Sequence, residues 1–370
     1  MSFHRSNDFE YIAAEVKAVR ESIGVTEISN FAKYEITGDS AEVFLDHLMT
    51  NNMPKLGRIT LTPMLNENGK LIGDFTIVKA NENRFLVFGS LGATKYHGTV
   101  NIKRFDMMLQ GLSIAGPNAR NLLKELVDED ISNSEFPFMS FREMNVNGVP
   151  CMINRLSYTG DLGYEIWMAP EYQRTVYYGI KNIGAKFNIK DFGMRALLSM
   201  RLEKNFPTWF AELRPIYGPY ESGLARFINI NKGRFIGQAA AKKELLNGPK
   251  ISRISFIINS DTSDVLGDEP IWAKTNEVFN LIDAPHDYGA SRFDAKGTEI
   301  GKKSSQKDGE WQVVGWVTSG GYAHSIKASM AQGYIPEALS KITQKGVFEI
   351  EILGKRFPCR IKINAPFDPL

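Results

Sequence analysis

The 370-residue sequence predicts an α+β fold with an all-β C-terminal domain of barrel type. Strands and helices alternate in mixed order through the first two thirds, without the regular βαβ repeat of a doubly wound parallel sheet. Beyond Asn247-Gly248-Pro249 the pattern shifts to short strands and turns. A hydrophobic fraction of 43% and an aromatic fraction of 11% are ample for packed cores in two or three domains.

Taken in order, Glu10 to Val19 carries a helical pattern, and Ala32 to Thr37 alternates as a strand. Asp39 or Ser40 caps a helix in which Val43, Phe44, Leu45, Leu48 and Met49 recur at helical spacing. Arg58 to Val87 reads as a meander around Asn68-Gly69, a two-residue hairpin signal. A helix is expected near Gly92, and Gly116-Pro117 turns into another at Ala119 to Leu126. Strands return between Phe138 and Trp167, Pro170 opens a helix, and Met194 to Lys204 forms one that Phe206-Pro207 breaks. Gln238 to Leu246 is helical. Ile251 to Ile258, Gln312 to Thr318, Val347 to Leu353 and Arg356 to Ile363 are the expected barrel strands.

Charge and cysteine content exclude several classes. The 44 basic and 42 acidic residues give a net charge of +2 with no long run of either sign, which argues against a nucleic-acid or polybasic membrane surface. Two distant cysteines, Cys151 and Cys359, make no disulfide framework and no zinc cluster, so a reducing cytoplasm is the expected setting. No stretch approaches the roughly 18 apolar residues of a membrane span, and no signal peptide is seen. His4, His47, His97, His286 and His324 never fall at i, i+3 or i, i+4, so no metal is expected.

The stretch Leu65 to Val78 places one carboxylate, Asp74, inside an apolar strand. Read from its neighbours alone, Asp74 is either solvated on the open face of the pleat or held for chemistry, and the solvated reading is the commoner. Glu165, at the end of Gly160-x-x-Gly163-Tyr164-Glu165, lacks the context of a P-loop or a dinucleotide fingerprint. Arg195 and Arg201 lie six apart on a predicted helix, about 600° of turn, so they point to different sides of it, roughly 120° apart. Phe206, Trp209 and Phe210 form an aromatic cluster in the following loop, where core packing and ligand contact both remain open.

Four stretches in order carry a resemblance: Asn66-Glu67-Asn68-Gly69 running to Asp74; Ser113 to Ala119; Arg155 to Ile166; and Gly193-Met194-Arg195-Ala196 running to Arg201-Leu202-Glu203-Lys204. Together they resemble the folate-dependent aminomethyltransferases, the glycine-cleavage T-proteins with their sarcosine and dimethylglycine dehydrogenase relatives. Asn231 to Gly237 resembles the dehydrogenase-linked branch, although no flavin domain is expected before it. Gly315 to Gly321 resembles a C-terminal signature to which no chemistry is assigned. Two departures stand out: Gly73 where the glycine-cleavage members carry a second Asp, and the bulky Phe206 to Phe210 loop where they have small residues.

The resemblance implies three domains around a central folate channel: 1–50 plus 138–248, an interleaved 51–137 carrying Asp74, and a β-barrel at 249–370. It implies Asp74 as the catalytic carboxylate, Glu165 against the pterin ring of tetrahydrofolate, and Arg201, Arg195 and Tyr158 as further cofactor contacts. Arg201 paired with a local acid is the competing reading. Trp209 and Phe210 are the expected substrate wall, because an indole face attracts a desolvated onium group by up to about 2 kcal/mol. The expected reaction moves a methyl from a small sulfonium, dimethylsulfoniopropionate, to N5 of tetrahydrofolate. No carrier protein is expected, and a homodimer is left open.

Overall fold

Three β-sheets, each with its own packed face, organise the protein. The structure is a computed structural model that describes residues 5–89, 100–274, 307–308 and 310–367. The helix expected near Gly92, with His4, His97 and His286, lies outside the described residues.

The first sheet has six strands in the order Lys190–Asp191, Gly24–Glu27, Gln110–Ala115, Gly163–Met168, Val149–Asn154 and Phe141–Val146. Helices Ala119–Leu123 and Gln173–Gly184 cover one face, burying Ile114, Tyr164, Ile166 and Met168 against Leu122, Val176 and Ile180. The second sheet has five strands in the order Ile59–Leu65, Leu71–Asn81, Arg84–Gly89, Ala32–Thr37 and Asn101–Arg104. Helix Ala41–Leu48 packs Phe44, Leu45 and Leu48 on its outer face, against Phe75, Ile77, Phe85 and Val87. Val43, expected on that apolar side, is 74% exposed, because it lies outside the arc that Phe44, Leu45 and Leu48 describe. Chain order and sheet membership diverge: Ala32–Thr37 pairs beside Arg84–Gly89 in the second sheet, whereas Gln110–Ala115 pairs between Gly24–Glu27 and Gly163–Met168 in the first.

The uncovered faces of these two sheets meet through Ile28, Ile59, Val78, Leu86, Phe88, Phe141 and Trp167. The hairpin that feeds this junction is wider than the two-residue turn expected from Asn68-Gly69. Gly69 N–H donates to Asn66 O at 2.9 Å, Gly69 alone adopts φ +74, and Asn66 and Lys70 bond to each other. This is a type I turn followed by a left-handed glycine, and it closes a three-residue hairpin loop. Gly69 is required twice over, since a Cβ there would stand 2.7 Å from Ala240 Cβ in helix Gln238–Asn247.

The third sheet closes into a six-stranded barrel of Pro270–Lys274, Phe348–Ile352, Lys355–Lys362, Ile251–Ile258, Ala328–Pro336 and Trp311–Ala323, the last pairing back on the first. Lys307–Asp308 adds a short arm to Trp311–Ala323. Closure removes the edges that an open sheet would expose. Pro270–Lys274 and Ala328–Pro336 were not apparent in the sequence, the first because it is short and the second because Ala, Ser, Gln and Gly fill most of it.

Candidate active site

Strand pleating decides where the two singled-out carboxylates point. Phe75 and Ile77 face helix Ala41–Leu48, so Asp74, Thr76 and Val78 face the first sheet. On the opposing wall Glu165 shares a face with Trp167, while Tyr164, Ile166 and Met168 face the helices. Asp74 and Glu165 therefore stand on facing sides of the junction between the sheets. Both are half-buried.

Among the described residues Glu165 receives one hydrogen bond, 3.3 Å from Asn154 Nδ2, the residue directly across the ladder. Burial pushes its carboxyl up to about 7, only partly offset by Asn154 and by the nearby Trp167 indole. Asn154 Oδ1 and Trp167 Nε1 are buried without an aligned partner of their own. Buried polar atoms are rarely left open, so an acceptor, a donor and an underpaired carboxylate side by side suit a flat ligand with paired N–H groups and an acceptor. Burial likewise raises Asp74 to about 6, offset only by its own backbone N–H.

Tyr158 connects this junction to the aromatic loop. Its hydroxyl donates to Pro207 O and lies 3.0 Å from Thr208 Oγ1, and its ring stacks on Phe206 with centroids 5.9 Å apart. Burial moves the phenol up to about 12; Arg201 and Thr208 pull it down, and the charges of Glu212 and Asp74 push it up. Asp74 is thus within electrostatic reach of Tyr158. In the loop itself Trp209 is partly buried and meets Phe210 edge to face at 5.4 Å. Phe210 is 67% exposed with φ +64, an unusual conformation for a bulky residue.

Comparison with known proteins places this geometry in a family. Residues 1–232 match the profile of the GCVT N-terminal domain, and residues 288–368 match that of the glycine cleavage T-protein C-terminal barrel domain. The chain belongs to the glycine-cleavage T-protein family. Members of this family are folate-dependent one-carbon transferases. The chain is 33% identical to mouse mitochondrial dimethylglycine dehydrogenase over 97% of its own length and 39% of that protein's, so it spans well under half of that relative. It is 32% identical to an aminomethyltransferase of Caldanaerobacter subterraneus subsp. tengcongensis over 67% of this chain and 69% of the relative. The fold matches the crystal structure of the glycine cleavage system aminomethyltransferase T of Bartonella henselae with a TM-score of 0.76, 19% identity, and coverage of 96% of this chain and 89% of that one.

Within this T-protein fold the two arginines separate as their helical spacing requires. Arg195 is exposed and pairs with Asp8 at 2.7 Å. Arg201 is buried, and its guanidinium is taken up inside the protein by Glu212, Phe206 O and Ser319. Asn154, Trp167, Glu212, Thr318 and Ser319 were not singled out in the sequence. Asn154 was readable only through its register with Glu165, and Thr318-Ser319 lay in the Gly315 to Gly321 stretch. A cleft of about 430 Å³ lined by Glu27, Arg174, Tyr177, Tyr178 and Asp191 opens elsewhere, on the helix-covered side of the first sheet. Its Asp191 is already held by Tyr177 and Lys181, and it contains neither singled-out carboxylate.

Proposed function

We propose that the junction between the two sheets holds tetrahydrofolate, and that the chain passes a methyl group from dimethylsulfoniopropionate to it, leaving 3-methylthiopropionate. The observation that carries this reading is the pair of half-buried Glu165 and buried Asn154, underbonded and facing Asp74. A carboxylate matches the two N–H donors of a 2-amino-4-oxo pyrimidine edge, and the free Asn154 Oδ1 offers a further acceptor. When bound, tetrahydrofolate supplies a nucleophilic nitrogen, N5, as methyl acceptor. Asp74, raised to about 6, is mostly ionised at neutral pH and takes up the proton released there, directly or through a water. Arg201 is left out of the folate contacts, because both of its terminal nitrogens donate within the protein, while its Nε is buried without a partner. Arg195 is left out too, being paired with Asp8 on the surface. The reading sets folate between two interleaved N-terminal units, each built on one of the first two sheets.

The substrate assignment follows from leaving-group chemistry. A sulfonium departs as a neutral thioether, so the protein gains most by aligning donor and acceptor. Trp209 and Phe210 present aromatic surface suited to a weakly hydrated cation. An aromatic wall holds such a cation without the strong ground-state stabilisation of an anion. The similarity to dimethylglycine dehydrogenases favours a second reading, in which the one-carbon unit comes from a dimethylamine zwitterion. A tertiary amine has no comparable leaving group, so that route needs oxidation by another domain or protein. Transfer of glycine-cleavage type from a lipoyl carrier is the family alternative.

A mass-spectrometric screen of purified protein with tetrahydrofolate separates these readings. 5-Methyltetrahydrofolate formed from the sulfonium without a carrier is the expected result. The methylene form of tetrahydrofolate, appearing only after oxidation of dimethylglycine or only with an aminomethylated carrier, reassigns the donor. Folate binding with no product from any donor makes the chain a non-catalytic folate-binding protein.

A further inference from the structure

We propose that Glu212 is the positioning residue of the aromatic loop, and that the C-terminal barrel sets the placement of Trp209 and Phe210 through Thr318 and Ser319. The inference rests on the reading of that loop as the substrate wall. It begins from backbone strain: Asn205 and Phe210 both sit in the left-handed region, at φ +58 and +64. Such conformations persist where the surroundings over-determine them, and both ends of this loop are over-determined by the barrel. At the first end Asn205 Oδ1 accepts from Arg253 Nη1 at 3.0 Å, Ser255 Oγ at 2.7 Å and Gln332 Nε2 at 3.3 Å.

Glu212 holds the second end. It is 0% exposed, and both carboxylate oxygens are fully engaged. Oε2 accepts from Arg201 Nη1 at 3.1 Å and from the Thr208 amide at 2.8 Å; Oε1 accepts from the Thr318 hydroxyl at 2.8 Å and from the Ser319 hydroxyl. Its main-chain oxygen accepts from Tyr334 at 2.8 Å. Arg201 completes the ring by donating to Phe206 O at 3.1 Å and to Ser319 Oγ at 2.6 Å. The residues between, Thr208 to Leu213, close on themselves where Phe210 N–H donates to Leu213 O at 2.9 Å. Through its carboxylate Glu212 thereby ties the helix before the loop, the loop backbone and strand Trp311–Ala323, and through its main-chain oxygen it adds strand Ala328–Pro336. Trp209 has no such anchor, since its indole N–H makes no hydrogen bond, so its place is inherited from the backbone that Glu212 holds.

Removing Glu212 outright risks unfolding, so the test uses the hydroxyls that orient it. Thr318→Val keeps the shape of the side chain and deletes its donor; Thr318→Ser keeps the donor and deletes a methyl. In the full-length protein, Thr318→Val combined with Ser319→Ala is expected to speed amide exchange over Thr208 to Leu213 by about tenfold, with strand Leu71–Asn81 unchanged. The same variant is expected to raise the KM of the methyl donor about tenfold at nearly constant kcat, the signature of lost uniform binding. Thr318→Ser is expected to behave as wild type. Unchanged exchange in the double variant overturns the inference whatever the donor proves to be. So does an equal effect of Thr318→Ser, which would reduce Thr318 to packing. Trp209→Leu serves as the separate control: faster exchange in the double variant with an unchanged KM in Trp209→Leu keeps the positioning role of Glu212 and removes the substrate wall.

Discussion

Two pairs of acids in this protein differ in how their oxygens are met, and the difference separates architecture from chemistry. Glu203 and Glu212 are 0% exposed, and their oxygens are saturated by Arg20, Arg201 and neighbouring hydroxyls and amides. Asp74 and Glu165 are less deeply enclosed, yet among the described residues no arginine or lysine pairs with either, and burial pushes them up to about 6 and about 7. A buried carboxylate is tolerable when paired and hydrogen-bonded, and costly otherwise. The saturated pair holds elements together; the underbonded pair is maintained at a cost to the folded chain, which is what supports the proposed folate site.

The largest effect is expected where that contrast is broken from the structural side. Glu212→Ala leaves Arg201 buried without its carboxylate and is expected to cost about 3–5 kcal/mol in denaturant unfolding. Glu165→Ala, which strands no cation, is expected to cost less than about 1 kcal/mol. Equal losses would abolish the distinction between the two kinds of acid. On the chemical side, Asp74→Asn keeps size and shape and removes the proton acceptor. Single-turnover methyl transfer is expected to fall about 100-fold or more, with folate affinity changed less than about twofold. Wild-type transfer rates in that variant would return Asp74 to a strand residue exposed to solvent.

The sequence carried the elements better than the way they interlock. Periodicity found the helices Phe9–Glu21, Met194–Glu203 and Gln238–Asn247 nearly to their ends, because each has an apolar stripe or a clear stop signal. It could not show that Ala32–Thr37 pairs with Arg84–Gly89 rather than with its chain neighbour Gly24–Glu27, since pairing across about 50 residues leaves no local trace. At the site, Asp74 and Glu165 stood out as acids among apolar neighbours, whereas Asn154 looked like any strand-end polar residue until the register placed it opposite Glu165. Arg201 shows the converse limit. Its side chain reads as a ligand contact or an internal partner with equal ease, and its internal partners Glu212 and Ser319 lie too far along the chain to be seen from the sequence.

A smaller effect is expected at Glu165 itself. Its removal leaves ligand N–H donors buried and unpaired, so Glu165→Ala is expected to weaken tetrahydrofolate about tenfold, close to 1.4 kcal/mol. Calorimetric titration reads this directly. An unchanged dissociation constant would move the pterin away from Glu165 and leave Asn154 Oδ1 and Trp167 Nε1 without a ligand to explain them.

The finest test is the pH dependence of stability. In the folded protein Glu165 titrates near 7, against an ordinary value of 4.5. Between those limits the folded chain keeps a proton that the unfolded chain has released, so this group's contribution to stability falls as pH rises through that window and is level outside it. Glu165→Gln removes the titration while keeping the shape and one acceptor. The melting temperature of the variant minus that of the wild type is therefore expected to grow more positive from about pH 5 to about pH 8. Asp74, raised to about 6, contributes with the same sign to both proteins and cancels in the difference. A bound ligand that donates to the Glu165 carboxylate favours its ionised form, so saturating tetrahydrofolate is expected to reduce the growth of this difference, and wild-type folate affinity to rise with pH up to about 7. If the difference between variant and wild type stays flat across that range, Glu165 is already ionised and satisfied in the free protein. It would then belong with Glu203 and Glu212 rather than with Asp74.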